Sequence, residues 1–351
     1  MMDMQLAAAY SGPPAWTFGR VFSSWQWEPV VPAIAVLGTV GYLFGVSRLR
    51  RTAREAGSPT WPVGRTFAFV LGMALWVFTT CAGLGVYEKV LFTDRAVQSV
   101  LLLMVVPLLL AMGAPVTVLV EAAPEGSRER LRAALRGGVA QALMFPLVST
   151  VVLIVPPWLF FFSPWYRLSM TTGGWNIAFH VGFVLFGLAY FWPRLQIDPV
   201  AKHYHPLLGV AITVAEVIFD AGLGFILVFG KTLLIPHYWA ELGRPWGMSP
   251  RSDQSWGGAV LWGLGDIAGV PFLVALIIRV IREERVRTVA VDLELDQQEQ
   301  EQRDQAAATA PATPAAASVP AAASAPVVEE GTRPWWLDDP NLAHRYGGGE
   351  H

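Results

Sequence analysis

Seven stretches of the chain stay apolar long enough to cross about 30 Å of hydrocarbon as helices, at roughly 1.5 Å per residue. They lie near 29–47, 63–83, 96–120, 143–162, 175–192, 206–230 and 256–281. Trp25, Trp27, Trp61, Trp158, Trp165, Trp175, Trp192, Trp246 and Trp256 gather at their edges, where an interfacial belt places indoles. The pattern predicts an all-α, polytopic integral membrane protein with seven transmembrane helices. Residues 1–28 read as a short extracytoplasmic segment, 29–287 as the membrane domain and 288–351 as a cytoplasmic tail. The tail, with "QQEQEQRDQAAATAPATPAAASVPAAASAP" at its centre, is too poor in apolar side chains to bury a core and is expected to be disordered. Its "RPWWLDDPNL" (333–342) reads either as a chance apolar spot or as a short docking motif.

The connections set the orientation. Fifteen Lys and Arg fall on one side of the seven runs, among them Arg48, Arg50, Arg51, Arg54, Arg128, Arg130, Arg132 and Arg136; seven fall on the other. The excess marks the cytoplasmic side, so the N-terminus is expected outside and the C-terminus inside. Composition agrees: 54% of residues are hydrophobic, 15% are charged, and the mean hydropathy is +0.44. A net charge of −2 with no basic aromatic patch excludes a nucleic-acid partner. The single cysteine, Cys81, excludes an internal disulfide framework. No basic segment precedes a short apolar run at the N-terminus, so no cleavable signal peptide is expected. Arg outnumbers Lys by 22 to three, and Ala, Gly and Pro are abundant, as in a high-GC bacterial gene.

The third run, "LFTDRAVQSVLLLMVVPLLLAMGAP" (91–115), raises a question: it opens with Asp94, Arg95, Gln98 and Ser99. A solvated helix start, with Asp94 favoured by the dipole, is one reading. Other polar groups lie deeper. Glu216 and Asp220 are spaced i, i+4 on the sixth run, and Asp266 sits in mid-seventh. Carboxylates there cost about 2.5–3.5 kcal/mol and should face the bundle interior. They read as a bundle-stabilising network or as a binding or transport site.

Several motifs, taken in order, resemble the CtaG family of bacterial cytochrome c oxidase assembly factors. "WQWEPVVPAIAVLGTVGYLFGVSRLRR" is similar to the family's first helix and "WPVGRTFAFVLG" to its second. In the third, Gln98, Pro107, Gly113 and Pro115 are in register. "WGMSPRSDQSWGGAVLW", with Asp253, Gln254 and Trp262, is similar to the entry to the seventh. The resemblance covers roughly residues 25–282. It implies a seven-helix protein of the bacterial cytoplasmic membrane that handles copper and contacts oxidase subunits or other assembly factors.

Where the family carries histidines, this chain departs. Arg95 and Ser99 stand at two such positions on the third run, and Phe162, just before Ser163 and Pro164, at another. Of a pair four apart on the fifth run, Asn176 replaces one and His180 remains. The i, i+4 spacings put 95 with 99 and 176 with 180 on common helix faces. His180 is therefore the one candidate metal ligand left in a polar cluster of Arg95, Ser99, Asn176, His180, Glu216, Asp220 and Asp266. With a single imidazole the usual copper site does not assemble. Arg95 is then expected to neutralise Asp220 or Asp266 in place of a metal cation. Met104, Met112, Met170 and Met248 could offer thioethers, or simply pack. His203 and His205 form a weak pair in a cytoplasmic loop, and His237 lies in an outer loop that could line the mouth of the cavity.

Two functions are open to such a chain. One is an oxidase assembly factor that scaffolds without transferring metal; the other is an ion- or proton-coupled transporter using the intramembrane carboxylates. No nucleophile elbow, zinc-protease helix or phosphate loop points to an enzyme.

Overall fold

The computed structural model describes residues 10–195, 218–219, 221–264 and scattered positions between 267 and 300. The chain divides into two units, Met1–Thr288 and Val289–His351, and the helical bundle belongs to the first.

All regular structure among the described residues is helical. The elements that matter are α1 (Val30–Glu55), α2 (Val63–Tyr87), α3 (Phe92–Met112), α4 (Pro115–Glu121), α5 (Glu125–Leu135), α6 (Pro146–Phe162), α7 (Pro164–Thr171), α8 (Gly173–Leu195), α9 (221–229), α10 (Pro236–Leu242) and α11 (250–264). Four of these, α1, α2, α3 and α8, are long and apolar enough to cross a membrane. The bent pair α6 and α7 makes a fifth if counted as one span. Among the described residues the expected first five runs are therefore represented, while most of the sixth and the second half of the seventh lie outside them.

Helix α3 is the centre of the bundle. It packs between α2 and α8, with α1 against α2 and with α6 and α7 against α8. It is also the most buried of the four long helices, and α1 the least. On α1 the apolar side chains Val36, Leu37, Val40 and Phe44 are 60% or more exposed. A contiguous outward apolar face of this kind suits hydrocarbon and not water.

The third run departs from the single helix expected over 96–120. It starts earlier, at Phe92, where a distant aspartate holds the first amide. It passes through a π-helical turn at Leu101–Val105 before Pro107. Proline has no N–H to give and its ring crowds the carbonyl four residues back, here that of Leu103, so a widened turn relieves both. Gly187 of α8 packs against this spot, where a Cβ would collide with the Leu103 carbonyl oxygen and the Pro107 ring. The helix then stops at Met112. Gly113 ends it, Ala114 adopts a left-handed conformation (φ 50°), and Pro115 begins α4 in a new direction. The Tyr42 hydroxyl donates to the Gly113 carbonyl at 2.7 Å and anchors the break to α1.

The fourth run bends by 69° between α6 and α7. Ser163 makes the corner: its Oγ accepts from the Trp165 N–H at 3.1 Å, and Pro164 takes the first position of the new helix.

Candidate functional site: a buried charge cluster

Helix α3 begins at Phe92 because a residue 161 positions away caps it. Asp253, in the first turn of α11, accepts from the Phe92 N–H (2.8 Å), the Thr93 N–H (3.2 Å) and the Thr93 hydroxyl (2.7 Å). The two amides are backbone donors that a helix N-terminus leaves without partners. Helix α11 is itself capped by Ser249, whose Oγ accepts from Ser252 N–H. Its neighbour Gln254 accepts from Leu234 N–H and donates to the Thr232 carbonyl, pinning the loop before α10. The two family-motif positions thus hold other segments, and not their own helix.

One turn into α3, Arg95 is fully buried, and so is Asp94 but for 4% of its surface; neither is a solvated helix start. The Arg95 guanidinium is surrounded by partners. Its Nη1 donates to Gln98 Oε1 (2.9 Å) and lies 3.5 Å from Glu88 Oε2. Its Nη2 donates to Asn176 Oδ1 (3.0 Å) and meets the Met170 sulfur at 3.8 Å. The Phe179 ring lies under it, 4.7 Å from its central carbon, a cation–π contact.

Glu88, in the short link between α2 and α3, is the anion at the centre. Besides Arg95 it accepts from Gln98 Nε2 (2.7 Å) and Asn176 Nδ2 (2.5 Å), and it faces His180 Nε2 at 2.8 Å. The other ring nitrogen of His180 faces Glu28 Oε2 at 3.1 Å. Ionised carboxylates only accept, so both contacts are hydrogen bonds together only when each ring nitrogen carries a proton. The cluster then holds two anions and two cations. Burial alone would raise the Glu88 carboxyl, but the Arg95 and His180 charges and the Gln98 hydrogen bond outweigh it and lower its pKa to about 2.

The structure brings Arg95, Asn176 and His180 together around two carboxylates, Glu88 and Glu28, that the sequence reading had not singled out. The carboxylate that meets Arg95 is Glu88, where Asp220 or Asp266 was expected; those two and Glu216 lie outside the described residues, as do His203, His205 and the 333–342 segment. Ser99 shares the buried face yet turns away, donating to its own helix at the Arg95 carbonyl (2.8 Å). Phe162 is half exposed, beside Trp158 and Phe219. Trp262 packs its Cβ against Gly224 of α9, Cys81 is buried beside the Glu28 carbonyl, and His237 is exposed on α10. Glu28 and Glu88 carried one usable signal: each is a lone glutamate at the edge of an apolar run.

This arrangement does not fit a copper ion. Both nitrogens of the one imidazole are taken by carboxylates, the Met170 sulfur faces a guanidinium, and a permanent cation occupies the centre. Among the described residues no three His, Cys, Asp or Glu side chains converge as a metal site.

Residues 40–283 match the family model described as cytochrome c oxidase caa3 assembly factor (Caa3_CtaG). The chain is 27% identical over 290 residues to uncharacterized proteins of Mycobacterium bovis and Mycobacterium tuberculosis, covering 81% of its own length and 43% of theirs. It is also 27% identical over 285 residues to one of Mycobacterium leprae, covering 79% of its own length and 42% of the relative's. The chain thus spans less than half the length of these curated relatives. No solved structure matches it.

Proposed function

The chain belongs to the cytochrome c oxidase caa3 assembly factor family, and on that premise we propose that it scaffolds assembly of a haem–copper oxidase without carrying copper itself. It would do so from the bacterial cytoplasmic membrane, crossing it seven times with the N-terminus outside and engaging oxidase subunits or other assembly factors. The apolar helices support the location, and the excess of basic residues on one side supports the orientation.

One observation carries the reading. At the positions where the family resemblance implies imidazoles, a buried guanidinium pairs with Glu88, and the remaining histidine is held between two carboxylates. The cluster is self-neutralising, so it stabilises the bundle in the way a bound cation otherwise would. Opposed charges buried together and joined by several hydrogen bonds favour one arrangement of α2, α3 and α8. A rigid membrane surface is what a scaffold needs.

The test is elemental analysis of purified protein after loading with Cu(I), with His180→Ala alongside, and co-purification of oxidase subunits from the same membranes. The expected result is background copper in both proteins and oxidase subunits retained with the wild type. Copper near one per chain, lost in His180→Ala, would overturn the proposal.

A further inference from the structure

A second site lies beside the N-terminus of α3. It is a cavity of about 340 Å³. Trp16, Trp246 and Trp256 wall it, and Asp94, Arg244 and Asp253 supply its charge.

Asp253 is committed: it caps α3, and Arg244 Nη2 lies 3.7 Å from its Oδ2. Arg244 is half committed. Its Nη2 donates to the Met248 carbonyl (2.7 Å), and its guanidinium lies over the Trp246 ring at 4.9 Å. Two charged atoms remain without partners. Asp94 Oδ2 meets no donor although Asp94 is only 4% exposed, and Arg244 Nη1 meets no acceptor although its side chain is only 6% exposed. Gly247 sits against that nitrogen with φ at +78°; a Cβ there would stand 3.2 Å from Nη1, so glycine leaves this edge of the guanidinium uncovered.

A buried polar atom left without a partner costs about 1–3 kcal/mol, and more when charged. Two of opposite sign in the lining of one cavity are a recognition pattern awaiting its complement. The charge count says what the complement is. Asp94 and Asp253 are two carboxyl groups set against one guanidinium, and a cation brought beside Asp94 would offset their mutual repulsion. The ligand must bring a cation, which the indole faces also favour, and it must offer an acceptor to Arg244.

We propose that this cavity binds a zwitterionic aminoalkyl phosphate, its ammonium on Asp94 among the indoles and its phosphate on Arg244. Trp16 and Trp256 are 40% and 60% exposed at the mouth, as indoles at a membrane interface are. The same chemistry is carried by a phospholipid head group and by the free phosphate ester.

The test is titration of the purified full chain with O-phosphoethanolamine, using ethanolamine and methyl phosphate as half-ligands. Saturable binding at least tenfold tighter than either half is expected. Asp94→Asn should weaken phosphoethanolamine tenfold while leaving methyl phosphate unchanged. Trp256→Leu, which alters an exposed indole and spares the fold, should weaken it several-fold. Repeating the titration in nanodiscs separates the sources. If phosphatidylethanolamine discs block the free ligand and phosphatidylglycerol discs do not, the head group is the occupant; if neither blocks it, the soluble ester is. Absence of saturable binding, or phosphoethanolamine binding no tighter than methyl phosphate, would overturn the proposal.

Discussion

Arg95 and Glu88 face each other at 3.5 Å with neither side chain exposed to solvent, seven residues apart across the start of α3. Breaking such a pair from one side strands a charge in a medium that cannot solvate it, at a cost of about 3–5 kcal/mol. Arg95→Met and Glu88→Gln are therefore each expected to lower stability by that order. The double variant should lie closer to wild type than the sum of the two, since it removes both charges together. Thermal unfolding in detergent measures all three; strict additivity would show that the pair is not coupled.

Acid should act through the same carboxyl. Glu88 lies in the link 88–91, outside both flanking spans, and its pKa is lowered from 4.5 to about 2. A depressed folded-state pKa contributes stability that is fully present above the unfolded value and is lost as pH falls through the folded one. The loss is expected between about pH 4.5 and pH 2. Unfolding curves across that range should be flatter for Glu88→Gln than for the wild type, and equal slopes would contradict the assignment.

The Asp253 cap predicts a local effect. Asp253→Ala removes the acceptor for two amides and a hydroxyl of α3 and should cost about 1–2 kcal/mol. Asp253→Asn keeps an acceptor and should fall between. Hydrogen exchange at the amides of Phe92 and Thr93 reads the result directly: protection should drop there first.

Two glycines of α8 predict opposite outcomes for one substitution. Gly187→Ala drives a methyl into the Leu103 carbonyl and the Pro107 ring, and overpacking of this kind costs about 1–3 kcal/mol. At Gly182 the nearest atoms to an added Cβ are 3.8 Å away, so Gly182→Ala should be neutral or gain up to about 0.8 kcal/mol from helix propensity. Unfolding midpoints of the two variants should move in different directions, or only that of Gly187→Ala should move.

Some of this was written locally. Apolar runs about as long as a bilayer needs, many with Trp or Arg at their edges, marked where α1, α2, α3, α6 and α8 would form, because each such helix satisfies its own backbone and needs no partner to be recognised. The i, i+4 spacing of Asn176 and His180 placed them on one face by helix geometry alone. The break at Gly113–Pro115 was less legible: three small or ring-constrained residues inside an apolar run read as continuous until Ala114 turns left-handed.

What only the tertiary structure decided is which charge meets which. Glu28, the Glu88–Arg95 segment and His180 come from three separate stretches, and Asp253 reaches α3 from 161 positions away. The local sequence around Glu88 is that of an ordinary loop; its role exists only once α2, α3 and α8 close over it. The physical reason is range. Hydrophobic length and helical periodicity act within a dozen neighbours, whereas the pairing of buried charges is set by desolvation, and desolvation depends on every element that shuts out the solvent.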